Sequence, residues 1–121
     1  MDRPNPQERR KAERRSLTYY LPVINDDTQQ VIGHLIDMST KGLMIDSKNP
    51  IPSGIDYNLR LDLTENIWHR PIIRFVARSK WSRPDSIQPY LYNAGFEIIK
   101  ISPGDAEAIK MIAEKYGEKN R

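Results

Sequence analysis

Tyr57, Leu59, Leu61 and Leu63 alternate without a break against Asp56, Asn58, Arg60 and Asp62. A period of two sends successive side chains to opposite faces, so this stretch predicts a strand with one dry and one wet side. The same period recurs along the chain. Thr18–Ile24 is aromatic and β-branched and ends at the turn residues Asn25-Asp26-Asp27-Thr28. Pro22 places that strand at a sheet edge or at a bulge. Val31–Met38 and Leu43–Ser47 come next, the second closed by Asn49-Pro50 and Pro52-Ser53-Gly54. Ile72–Trp81 puts Ile73, Phe75, Ala77 and Trp81 on one side and Arg74, Arg78 and Lys80 on the other, with Arg83-Pro84-Asp85 as its breaker. Leu91–Ile101 turns Tyr92, Ala94, Phe96 and Ile98 one way, with Gly95 at its middle.

The period then changes. Ser102-Pro103-Gly104-Asp105 offers a hydroxyl at the N-cap, proline at the first helical position and a carboxylate at the third. Ile109, Ile112, Ala113 and Tyr116 recur at helical spacing and Gly117 stops the run, which predicts a helix over about 103–116. Six short strands followed by one amphipathic helix predict a small six-stranded antiparallel β-barrel with a C-terminal α-helix.

Between the second and third strands lies Asp37-Met38-Ser39-Thr40-Lys41-Gly42. A carboxylate and a hydroxyl two apart on an extended chain share a side. Gly42 allows either a sharp turn or the close approach of another molecule, since it carries no Cβ. The strand therefore ends in a polar shelf suited to a ligand with N–H donors. The plainer role for Asp37 and Ser39 is to cap a β-turn.

Composition changes this picture in one place. The 121 residues carry a net charge of +3, with 19 basic and 16 acidic side chains. Residues 1–15 hold six of the basic ones (Arg3, Arg9, Arg10, Lys11, Arg14, Arg15) and three of the acidic, so the remainder balances at 13 of each. A neutral body with a basic arm points to one anionic partner met locally. The arm has no apolar stripe, which predicts a segment that becomes ordered when something binds. The absence of cysteine excludes disulfides, zinc ribbons and thiol chemistry, and fits a reducing cytoplasm. No apolar run approaches the roughly 18 residues of a membrane span, and the polar, proline-broken start does not read as a signal peptide.

Enzyme chemistry finds little support. His34, Asp37 and Ser39 would form a triad only if 34 and 37 shared a face, and a regular strand separates them; no nucleophile elbow is present either. Asp37-x-Ser39 begins like a calcium loop, but Lys41 stands where a third oxygen ligand belongs. The arginines carry more. Arg10 and Arg14, flanked by Arg9 and Arg15, supply planar forks that grip phosphate or the O6/N7 edge of guanine and stack on bases. Acceptors such as Asp37 and Ser39 suit the N1–H and N2–H₂ donors of guanine. The two sets together complement a guanine nucleotide on all its edges.

Arg10-Lys11-Ala12-Glu13-Arg14, a linker of about twenty residues holding one strand pair, and then Asp37-Met38-Ser39-Thr40-Lys41-Gly42 resemble the PilZ domain, the bacterial receptor for cyclic di-GMP. Phe75–Trp81 is similar to that family's strand ending in tryptophan, and Ala94-Gly95-Phe96-Glu97-Ile98 to its late glycine–aromatic strand. Lys11 and Arg15 repeat the four-residue spacing, but Tyr19–Val23 fits better with Arg14 as the second arginine. The resemblance implies a split-barrel fold and a non-enzymatic receptor. It implies that Arg10 and Arg14 hold guanine edges and phosphates from the arm. Asp37 and Ser39 would hold a guanine from the barrel, and Gly42 would keep the backbone clear. Arg9, Arg15 and Trp81 are further candidate contacts, Trp81 equally readable as a core aromatic. No cofactor beyond the ligand is implied. The expected organisation is a flexible basic arm over 1–15, a barrel with its helix over 16–117, and a polar tail over 118–121. The signal would pass to a downstream protein through ordering of the arm. The alternatives are a ligand-independent interaction adaptor on the same fold, and a small β-barrel nucleic-acid binder using Arg74, Arg78 and Lys80.

Overall fold

The computed structural model describes residues 21–63 and 72–116. The elements are β1 (Pro22–Asn25), β2 (Gln30–Met38), β3 (Gly42–Ser47), β4 (Asp56–Asp62), β5 (Ile72–Pro84), β6 (Tyr92–Ile101) and α1 (Pro103–Tyr116). Every neighbouring pair is antiparallel, and the strands close into a barrel in the order β1-β2-β3-β6-β5-β4. Closure leaves no edge strand, so Pro22 sits beside a bulge instead, where the β1–β2 register shifts between Val23 and Ile24. The Thr18–Tyr20 part of the expected first strand, the arm and the polar tail lie outside the described residues.

The inward half of each strand fills the barrel. Leu35, Leu43, Ile45, Leu59, Leu61, Ile73, Phe75, Ala94 and Phe96 form one cluster. Tyr57 closes on Phe96 edge to face, with centroids 5.9 Å apart. Each buried Leu, Ile or Phe contributes about 1.5–3 kcal/mol relative to exposure, so the core is set by the alternation that β4 shows most cleanly.

Helix α1 starts as its sequence requires. Ser102 Oγ accepts from the Asp105 amide at 3.2 Å, and Asp105 in turn accepts from the Arg74 amide of β5 at 3.4 Å. Its apolar face brings Ala108, Ile109 and Ile112 into the barrel's core cluster, against β5 and β2. Among the described residues no helix is long and apolar enough to cross a membrane.

Besides the register shifts at Val23/Ile24 and Val76/Ala77, two further bulges depart from simple alternation. The β2–β3 register shifts between Leu35 and Asp37, and the β5–β6 register shifts between Ser79 and Trp81. Each inserts one unpaired residue, Ile36 and Lys80, and exchanges the faces of the residues beyond it. Strand β5 also runs past its expected breaker: Arg83 and Pro84 still pair with Asn93 and Tyr92. The turn comes next, where Asp85 Oδ1 accepts from the amides of Ile87 and Gln88 at 2.7 and 3.1 Å.

Candidate functional site

Register assembles the site on the outside of the barrel. Leu43, Ile45, Ala94 and Phe96 point inward, so Met44 and Gly95 between them point outward. The pairing Asp37↔Met44, Met44↔Gly95 and Gly95↔Trp81 therefore lays four residues of four strands in one row across β2, β3, β6 and β5. A surface hollow of about 270 Å³ lies on this row and is bordered also by Ser39, Gly42 and Lys80. Asp37, Ser39, Gly42 and Trp81, singled out from the sequence, thus come together in one place. Arg9, Arg10, Arg14 and Arg15 lie outside the described residues.

Local hydrogen bonds hold the shelf. The Ser39 amide donates to the Gly42 carbonyl at 2.8 Å, closing the turn between β2 and β3. Ser39 Oγ accepts from the Lys41 amide at 3.1 Å, and Asp37 Oδ1 accepts from the Met38 amide at 2.9 Å. Ser39 does cap the turn, the plainer of the two roles, whereas the Asp37 bond is to its neighbour at the end of β2. A hydroxyl oxygen can accept more than one hydrogen bond, so the bond from Lys41 fixes Ser39 Oγ in place without by itself excluding a ligand donor.

Gly42 borders the hollow, and its lack of a Cβ is already required by the chain's own packing. Gly54 is the glycine with positive φ among the described residues, so Gly42 makes no left-handed turn. A Cβ on Gly42 would lie 2.4 Å from the Phe96 carbonyl oxygen. The close neighbour is the chain's own strand β6.

Trp81 is not a core aromatic. The bulge at Lys80 turns it away from Ile73, Phe75 and Ala77, with which its spacing groups it, and onto the outer face. There the half-buried indole lies on Gly95: a Cβ at that glycine would stand 2.4 Å from both Cε2 and Nε1. Lys80, exposed on the bulge, pairs with Glu97 at 3.3 Å. The bulge at Ile36 likewise places His34 and Asp37 on the same outer face, contrary to the regular-strand expectation. His34 nonetheless sits in the next row, its Nδ1 3.9 Å from Asp46 Oδ1. It borders a separate, larger hollow of about 530 Å³, with Lys48, Tyr57 and Leu91, that contains no residue of the D-x-S-x-x-G stretch.

Ion pairs govern the remaining charge. Arg60 and Arg74 both hydrogen-bond Asp26, at 2.9 and 3.0 Å, and hold its carboxyl below the usual range, Arg60 contributing most. Arg60 is also bonded to Asp62, which with Asp26 raises its own pKa. Arg78 grips Asp56 at 2.7 Å, lowering that carboxyl in the same way. The row Arg74, Arg78 and Lys80 is thus neutralised by carboxylates, which removes the free basic strip a nucleic-acid face needs.

Met44, Gly95 and Lys80 border the hollow although no local sequence pattern assigns them to it. Only the register between β3, β6 and β5 brings them to Asp37. Comparison with curated proteins and with solved structures returns no match. The PilZ domain family matches residues 8–115, a stretch that includes both the arginine motif and the shelf. Over that span, and with this closed barrel, the chain belongs to the PilZ domain family.

Proposed function

We propose that the protein is a cyclic di-GMP receptor whose N-terminal arm closes over the outer-face hollow when ligand binds. Arg10 and Arg14 grip phosphate and guanine edges from the arm. Asp37 and Ser39 accept from guanine N–H groups, and Arg9, Arg15 and Trp81 complete the enclosure. Membership of a family of cyclic di-GMP receptor domains supports the ligand class. The observation that carries the reading is the convergence of Asp37, Ser39 and Trp81 on one hollow.

Its size supports a role for the arm. Small-molecule sites span about 300–1,000 Å³, and this hollow falls just below that range at about 270 Å³. A ligand of two purines and two phosphates needs a second wall, and the arm carries forks of the right chemistry. Ordering of that wall creates a new surface, and a separate protein in the cytoplasm reads it. No catalytic step is involved.

The test is an Arg10→Ala/Arg14→Ala variant titrated with cyclic di-GMP. Each lost charge-assisted contact costs about 1.5–3 kcal/mol, so either single variant weakens binding about tenfold to a hundredfold or more. Wild-type affinity in the double variant refutes the assignment.

A further inference from the structure

Four arginines lie among the described residues, and three are held by carboxylates: Arg60 by Asp26 and Asp62, Arg74 by Asp26, Arg78 by Asp56. Arg83 is held differently. Its guanidinium carbon lies over the Trp81 ring, 4.3 Å from the centroid. Residues two apart on a strand share a face, and the bulge at Lys80 has already turned that face outward. Arg83 therefore folds back along β5 onto the indole, while Gly95 lies against the indole from the sheet. The result is a stack of sheet backbone, indole and guanidinium, of which Gly95 and Trp81 border the Asp37–Ser39 hollow and Arg83 lies outside its lining.

That stack changes what Trp81 can do. Gly95 lies against the indole from the sheet and Arg83 covers the ring 4.3 Å from its centroid, so the ring face under Arg83 is not open to a base. A purine approaching over that face meets the guanidinium before the indole. The guanidinium is well suited to receive it, being planar, always charged and weakly hydrated, and able to stack on an aromatic system while donating in its own plane. Held over the indole, it also loses less freedom on binding than an arginine extended into solvent.

We propose that Arg83 is a further ligand-binding residue: its guanidinium, held over Trp81, is the shelf on which one purine of the cyclic dinucleotide stacks. Trp81 is then a positioning residue that acts through Arg83. This inference rests on the receptor reading above and adds a contact to it.

Calorimetric titration with cyclic di-GMP tests it, on the wild-type chain and on Arg83→Ala, Arg83→Lys, Trp81→Ala and the Arg83→Ala/Trp81→Ala pair. Asp37→Ala serves as the variant of the Asp37–Ser39 hollow itself. Losing one stacked base weakens binding by about tenfold. Arg83→Lys falls as far as Arg83→Ala, because an ammonium keeps the charge but has no flat face. Trp81→Ala loses about as much as Arg83→Ala, and the double variant loses no more than either single one. Urea midpoints measured alongside stay near wild type for both Arg83 variants, which separates loss of contact from loss of fold. Arg83→Ala binding at the wild-type level while Asp37→Ala loses binding overturns the stacking shelf and leaves the receptor standing. Full rescue by Arg83→Lys, or additive losses in the double variant, overturns it too. No binding by the folded wild-type chain overturns both.

Discussion

Gly42 and Gly95 give the sharpest stability test, because the same added atom meets different obstacles. A Cβ at either position lies 2.4 Å from its nearest neighbour, about 1 Å inside ordinary contact distance. At Gly42 the neighbour is the Phe96 carbonyl oxygen, fixed in the β3–β6 ladder. Relief requires the strands to part, so Gly42→Ala carries the overpacking cost of about 2–3 kcal/mol. At Gly95 the neighbours are Trp81 ring atoms, which move by rotating a partly exposed side chain. The indole then lifts and its contact with Arg83 is lost, worth about 0.5–1 kcal/mol at an exposed site. A gain of about 0.4–1 kcal/mol from reduced unfolded-state freedom offsets part of either cost. With a urea slope of about 1–3 kcal/mol/M, Gly42→Ala lowers the unfolding midpoint by about 1 M and Gly95→Ala by no more than a few tenths. Equal midpoints, or a less stable Gly95→Ala, would refute the assignment of a backbone obstacle at one site and a side-chain obstacle at the other.

Acid sensitivity follows from the paired carboxylates. Asp26 and Asp56 have folded pKa values depressed below 3.8 by their arginines. Their stabilisation is therefore fully present above about pH 4 and is lost as pH falls through the folded values. An Asp26→Asn chain is expected to show a flatter stability profile over that acid range in pH-resolved urea titrations; an unchanged profile would contradict the pairing. Ser102→Ala removes the cap of α1 and is expected to cost about 1 kcal/mol, read as a lower thermal midpoint with the barrel intact. A loss below about 0.3 kcal/mol would mean the helix is held by Ile109 and Ile112 packing alone.

The parts of this fold legible in sequence are those specified locally. Strand β4 alternates over its whole length, and Ser102-Pro103 with its helical stripe fixes α1 because cap, proline and period agree. The D-x-S-x-x-G shelf is legible for the same reason: its parts are contiguous, and one turn assembles them. Sequence and structure part where one residue is inserted. Ile36 and Lys80 each add a step that a period of two cannot register, so alternation alone separates His34 from Asp37 and groups Trp81 with the core. Pro84 reads as a breaker, yet a residue with no N–H is tolerated at a strand end, and β5 continues to it. Met44, Gly95 and Lys80 reach the site only through pairing between strands distant in sequence, which no local pattern encodes.

The most direct test of the receptor reading is calorimetric titration of the purified chain with cyclic di-GMP, with GTP and cyclic GMP as controls. The account predicts saturable binding of the cyclic dinucleotide with little heat from either control, because only a ligand with two guanines and linked phosphates engages both arm and shelf. A cooperatively folded barrel that gives no binding heat with cyclic di-GMP, or binds GTP equally well, would contradict it.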